Sequence, residues 1–375
     1  MAREKLNSLQ VIRAIAFMGI FASHTGLQYF TPTGSWGVSV FLVLSGFLMS
    51  YCYLDRGRIT AVSFADNLKF SIGKLSKLYP LHLVMLAAAF PFMAYAFLKA
   101  PSVSEFFYNA AKVVADIFLV QTLVPKSDFY FSLNGVSWYL SVCLLVYFAF
   151  PYLLKHMERY RGVKDAAVAI VVLFALQVVL GYLSSKITLP ESISNGFCKW
   201  FVYIFPLSRL EDFLIGCNLG YVFVRAESGN RSAAAWTLYE LGAILLILGQ
   251  WILYLRLMPP AEDVITVPSL WWLIVAQYTV SSSILIWVFA RNRGLISRAL
   301  TTNALVTLGN LSSLTFLIHE VTIRYIRTGA ECLLEGRLST PAIWTIAAAI
   351  AFVVTLLLSI AWQKLTAKPK SSRAA

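Results

Sequence analysis

Long apolar stretches alternate with short polar ones along almost the whole chain. Runs in which nearly every position is apolar lie near 7–26, 36–54, 78–98, 136–154, 166–183, 201–224, 236–255, 270–290, 303–323 and 342–362. Each is close to the roughly 20 residues that an α-helix needs to cross a hydrocarbon layer of about 30 Å. Inside such a layer every backbone polar group must be bonded within its own segment, so the runs predict helices. An eleventh run, about 106–124, carries Lys112, Asp116 and Gln121 and is ambiguous by pattern alone. The pattern predicts an all-α, polytopic transmembrane helical bundle of about ten spans.

Charge places the ambiguous run. With a cytoplasmic N-terminus and no crossing at 106–124, the cytoplasmic segments are 55–77, 155–165, 225–235, 291–300 and the tail, each rich in Lys and Arg. A crossing at 106–124 would put every later basic loop outside, against the positive-inside trend. Both termini are therefore expected in the cytoplasm, and 99–135 is an outer loop with an amphipathic or re-entrant helix. One integral-membrane domain is expected over 1–365, with a short basic disordered tail at 366–375. Arg13 interrupts the first run, so that run reads as a retained helix, not a cleaved leader.

Composition agrees. Charged residues are 13% of the chain and apolar ones 59%, with mean hydropathy +0.71, against roughly 25% charged in a soluble domain. The net charge of +13 would suggest nucleic acid in a soluble protein; here it is a topology signal, and no nucleic-acid partner is expected. Five scattered cysteines, Cys52, Cys143, Cys198, Cys217 and Cys332, fit buried thiols better than a disulfide framework or a metal site.

Polar residues inside apolar runs are the candidates for chemistry, because each is expensive there. Arg13 and His24 lie eleven residues apart; at 3.6 residues per turn they share one helix face, about 16 Å apart. The bland readings are a snorkelling arginine and an interfacial histidine. Ser45-Gly46 in the second run either allows close helix packing or leaves room for a cofactor arm. Lys74 and Lys77, one turn apart before Leu78-Tyr79-Pro80, are positive-inside charge or a phosphate-capturing pair. Asn134 and Trp138 stand at the outer start of the fourth run, where tryptophan is commonly an aromatic-belt residue. Pro206, Arg209, Glu211 and Asp212 interrupt the sixth, with Arg209 and Asp212 spaced to pair on one face. His319 and Glu320 fall at the outer end of the ninth. His82 and His156 are blander.

Taken in order, Arg13-Ala14-Ile15-Ala16 with His24, Gly37-Val38 into Leu44-Ser45-Gly46-Phe47-Leu48, Lys77-Leu78-Tyr79-Pro80, Ser137-Trp138-Tyr139-Leu140-Ser141, Arg209-Leu210-Glu211-Asp212-Phe213 with Gly216 and Gly220, and Gly309 with Ser312 and Leu317-Ile318-His319 resemble the membrane acyltransferase type 3 family. The resemblance covers nearly the whole chain and implies O-acylation of cell-surface or lipid-linked sugars. The chain departs from the family's pattern at Lys74 and Lys77, where arginines are usual, and at Cys143, where many members carry an acid. The resemblance implies acyl-CoA, most simply acetyl-CoA, as donor, its phosphates near Arg13, Lys74 and Lys77, its arm passing Ser45, with His24 and Arg13 as the catalytic residues and His24 as the base; it also implies a bacterial inner membrane as the location. Trp138, Arg209, Asp212 and His319 are expected around the acceptor or in a structural pocket. Expected partners are the bilayer, acyl-CoA and a carbohydrate acceptor: polysaccharide, O-antigen or lipid-linked sugar. A secondary transporter is the alternative from another class, since broken helices and buried charges also serve transport; a non-catalytic relative is the third.

Overall fold

The computed structural model describes residues 4–57, 59, 62–99, 102–194, 196–226, 231–257 and 268–367. Arg58 of the expected basic segments, and Lys368, Lys370 and Arg373 of the expected tail, lie outside the described residues. Among the described residues fifteen α-helices follow in chain order: α1 (Asn7–Ser23), α2 (Thr31–Tyr53), α3 (Phe64–Leu75), α4 (Tyr79–Leu98), α5 (Val103–Ile117), α6 (Ser127–Tyr130), α7 (Trp138–Met157) and α8 (Val163–Ser184). The rest are α9 (Phe197–Lys199), α10 (Pro206–Arg225), α11 (Ala233–Leu257), α12 (Pro268–Arg291), α13 (Leu295–Leu300), α14 (Asn303–Leu334) and α15 (Thr340–Thr366). The described residues contain no strand. Each of the ten apolar runs holds one long helix, and among the described residues seven segments are long and apolar enough to cross a bilayer. The protein is an all-α membrane bundle.

Its centre is α1, α2, α10 and α14. α2 and α10 make the most extensive helix pair, for a physical reason that lies in two glycines. A Cβ on Gly46 would collide with the Phe213 carbonyl, and one on Gly216 with the Val43 carbonyl. Removing both side chains lets the two backbones touch, which is how helices associate where lipid is as apolar as leucine. Gly309 does the same for α14 against the backbone of Gln10 in α1. Between the alternatives at Ser45-Gly46, the glycine serves packing; the serine is a cavity residue, as shown below.

The register of these pairs gives their directions. Along α1 and α14, Gln10 meets Gly309, Arg13 meets Ser312, and His24 meets His319, so the two helices run the same way. Ser39 meets Arg209, Val43 meets Gly216, and Asp55 meets Arg225, so α2 and α10 are also parallel. α1 and α2 are antiparallel, with Ser23 near Gly34 and Ala16 near Gly37.

Two elements differ from the pattern reading, and the ambiguous run holds the expected helix. The sixth run is not one helix. A π-helical turn, Trp200–Ile204, ends at Phe205, whose extended backbone (φ −65°, ψ 125°) precedes Pro206 at the first turn of α10. Proline has no N–H to donate and disfavours helix in the residue before it. The segment 55–77 contains α3, started by Ser63, whose side chain accepts from the Asp66 N–H at 3.1 Å. The ambiguous run becomes α5, a 15-residue helix, about 22 Å long at 1.5 Å per residue.

Candidate active site

Arg13 sits two turns into α1, and neither of its hydrogen bonds goes to a carboxylate. Its Nε donates to Ser312 Oγ at 3.1 Å and one terminal nitrogen donates to Ser313 Oγ at 2.9 Å. Among the described residues it forms no ion pair. Both serines are on α14, brought there by the glycine contact at Gly309 one turn earlier.

A cavity of about 240 Å³ opens beside this arginine. Its inner wall is Arg13, Ser312, Ser313 and Phe316; Phe41, Leu44 and Leu48 of α2 make an apolar side. Tyr139, Cys143 and Tyr147, one turn apart on α7, make the opposite side. Ser45 Oγ lies 3.1 Å from the Tyr147 hydroxyl across it. The outer rim is Tyr53 at the end of α2 and Lys74 in the last turn of α3. Lys74 Nζ donates to the Tyr53 hydroxyl at 2.6 Å and lies over the Tyr53 and Phe70 rings, 4.6 and 5.2 Å from their centres. Cation–π contacts of this kind hold an ammonium in place without neutralising it. Lys77 is exposed one turn on and does not line the cavity.

His24 stands at the other end of α1, as the residue that caps the helix. Its Nδ1 is 2.8 Å from the Ile20 carbonyl. A carbonyl only accepts, so Nδ1 carries the proton and Nε2 keeps its lone pair. His319 repeats the arrangement, with Nδ1 2.7 Å from the Phe316 carbonyl. Its Nε2 faces the His24 Nδ1–H at 3.4 Å, the rings edge-to-face with centres 5.0 Å apart. Phe316, in turn, ends the cavity and lies 5.8 Å from His319, ring centre to centre. Arg13, Phe17 and His24 on α1 thus run beside Ser312, Phe316 and His319 on α14.

Trp138, Arg209 and Asp212 form a separate buried group. Arg209 pairs with Asp212 at 2.7 Å, both fully buried, and donates to Ser39 Oγ at 3.2 Å. Asp212 also accepts from Thr279 at 2.5 Å and Gln177 at 2.8 Å. Tyr203 lies between, its ring 5.0 Å from Trp138 and 5.5 Å from the Arg209 guanidinium. None of the three lines the cavity. The buried acid that could have been Arg13's partner is therefore already held by Arg209. Asn134 ties the outer loop to α14, donating to the Leu317 carbonyl at 2.9 Å. His82 Nε2 bonds the Asp116 carbonyl at 3.0 Å, and His156 is exposed.

The sequence reading missed Ser313, Tyr53, Tyr139 and Tyr147 as parts of a site. The i, i+4, i+8 spacing of Tyr139, Cys143 and Tyr147 was a usable signal; the pairing of Arg13 with serines 299 and 300 residues away had none.

A model of the acyltransferase domain matches residues 6–361. The chain belongs to this acyltransferase family. The acyltransferase is also similar to "Acyltransferase MdmB" of Streptomyces mycarofaciens, at 27% identity over 376 residues, covering 94% of this chain and 87% of that protein. No solved structure shows a significant match. Membership sets aside the transporter alternative. Of the features that suggested it, the break before Pro206 is present, and the buried charge of Arg209 is held by Asp212 as an ion pair.

Proposed function

We propose that this acyltransferase moves an acetyl group from acetyl-CoA, approaching from the cytoplasmic side, to a carbohydrate hydroxyl at the opposite face of a bacterial inner membrane. The observation that carries the reading is Arg13, a cation in the cavity wall held by two serines with its charge uncompensated. Such a group suits a phosphate or another anionic part of the donor. Lys74 at the rim and Lys77 beyond it extend the positive path outward. The donor's arm passes Ser45 and the apolar wall toward Phe316.

His24 is the base. The acceptor hydroxyl attacks the thioester carbonyl, its proton goes to His24 Nε2, the C–S bond breaks, and the proton passes to the departing sulfur. An imidazole with one nitrogen protonated and the other free can take a proton and then return it, and general-base help of this kind is typically worth about 10²–10⁴-fold. As His24 becomes charged, its Nδ1–H donates more strongly to the Ile20 carbonyl and to His319 Nε2, which makes His319 a positioning residue. Arg13, about 16 Å along the helix from His24, is too distant to contact the reacting carbonyl at His24 and serves binding.

The test is turnover of radiolabelled acetyl-CoA by the purified chain with a panel of sugar and lipid-linked sugar acceptors. Wild type is expected to label an acceptor, and His24→Ala to lose transfer while keeping its melting temperature. Turnover above a few per cent of wild type in His24→Ala would remove His24 from the role of base.

A further inference from the structure

A second cavity, of about 730 Å³, lies between the first turns of α11 and the last turns of α12 and shares no lining residue with the first. Arg291 closes α12, and its guanidinium carbon is 4.3 Å from the centre of the Phe223 ring and 4.7 Å from that of Trp287. Arg231 precedes α11 and lies 5.2 Å from the centre of the Tyr239 ring. Phe223 is near the end of α10 where Arg225 meets Asp55, so this cavity is at the same end of the bundle as Lys74.

Aromatic faces fix both guanidiniums and leave their N–H edges unused. Among the described residues, neither arginine has a hydrogen-bond or carboxylate partner. A third donor stands beside them. Trp236 lines the cavity, is 8% exposed, and its indole N–H has no acceptor. An orphan buried donor costs about 1–3 kcal/mol; the Trp236 N–H is one, and the exposed Arg231 and half-buried Arg291 line the same space, a set that suits an anion with several acceptor oxygens. Beyond the arginines the walls turn apolar and face outward: Leu246 and Ile284 are 37% and 40% exposed. A soluble anion would gain nothing from that half of the cavity.

We propose that this cavity holds the phosphate headgroup of an anionic phospholipid of the cytoplasmic leaflet. Arg231, Arg291 and the Trp236 N–H are its donors, and its acyl chains run along Leu246 and Ile284. Anionic leaflets concentrate such lipids beside basic groups at the membrane surface. The site is distinct from the acyl-transfer site and does not depend on that reading.

The experiment is native mass spectrometry of the purified full-length chain, titrated in detergent with phosphatidylglycerol, with phosphatidylcholine, and with phosphatidylglycerol in the presence of excess inorganic phosphate. A bound phosphatidylglycerol is expected to survive, phosphatidylcholine to be lost, and inorganic phosphate to compete poorly. In the doubly substituted R231Q/R291Q chain, retention should weaken about ten- to a hundred-fold, the range for losing charge-assisted contacts. Trp236→Phe keeps the ring and removes only the donor; it should weaken retention about fivefold. It decides the matter if the double variant does not fold. Equal retention of the two lipids, displacement of phosphatidylglycerol by phosphate at lipid-like concentrations, or unchanged affinity in the folded variants would overturn the assignment. The measurement reads lipid and not turnover, so its failure is distinguishable from failure of the acyl-transfer proposal.

Discussion

A guanidinium held by two serines has no carboxylate to neutralise it, and that sets what a substitution at Arg13 should do under the proposed donor-binding role. Arg13→Gln removes the cation without stranding a carboxylate, because none faces it. Donor affinity should fall about ten- to a hundred-fold, since a charge-assisted contact is worth roughly 1.5–3 kcal/mol, with the melting temperature near wild type. Calorimetric titration with CoA beside a thermal melt checks both; unchanged affinity with a lowered melting temperature would assign Arg13 to structure. At Asp116 the opposite holds. Its carboxyl is fully buried, accepts from Ser132 at 2.5 Å and Ser137 at 3.1 Å, and is pushed up by burial to about 7. The folded chain therefore holds a proton on Asp116 that the unfolded chain releases near its ordinary 3.8. Stability should fall as pH rises from about 4 to 7 and level off above, by an amount on the order of a few kcal/mol. Asp116→Asn should flatten that fall, and melting curves at pH 5 and pH 8 in both chains measure it. Arg13 and His24 were legible as one helix face because spacing along a helix is local information. Ser312 and Ser313 were not, because no periodicity relates positions some 300 residues apart.

Helices, as elements, were legible by length and apolar content; their contacts were not. The ten runs each hold a helix, yet α3 hid inside a basic segment because it is short and amphipathic, and the sixth run concealed the break at Phe205. The decisive contacts between elements are between backbones. Gly46→Val should drive a side chain into the Phe213 carbonyl and separate α2 from α10. Overpacking of this sort costs about 1–3 kcal/mol. Gly249 on α11 is the control: a Cβ there meets nothing within 4 Å, so Gly249→Ala should be neutral or slightly stabilising, as for any helical glycine. Melting temperatures of the two variants in detergent separate packing from propensity. Equal effects would mean that the α2–α10 contact is not what the small residues are for.

At the scale of the whole molecule, direction constrains topology. α2 and α10 run the same way, with α4, α7 and α8 between them; three crossings restore the direction, and a fourth at α5 would reverse it. These directions fit a 106–124 segment that does not cross; we propose, with the charge pattern, ten crossings and both termini in the cytoplasm. Lys112 and Asp116 are themselves buried, so cysteines placed at the exposed Glu105 and Asp128 of the same segment, in a chain without its five native thiols, should label from outside, and cysteines in the 155–165 loop from inside. An outside label on that loop would overturn the arrangement. The pairing of α1 with α14 has a further consequence, for biogenesis. Arg13 leaves the ribosome 299 residues before the serine that receives it. At about 5–20 residues per second, that is about 15–60 s of synthesis. Throughout that interval the first helix carries a cation whose final neighbours do not yet exist. The insertion machinery must shelter it beside water or protein until the ninth long helix arrives to close around it.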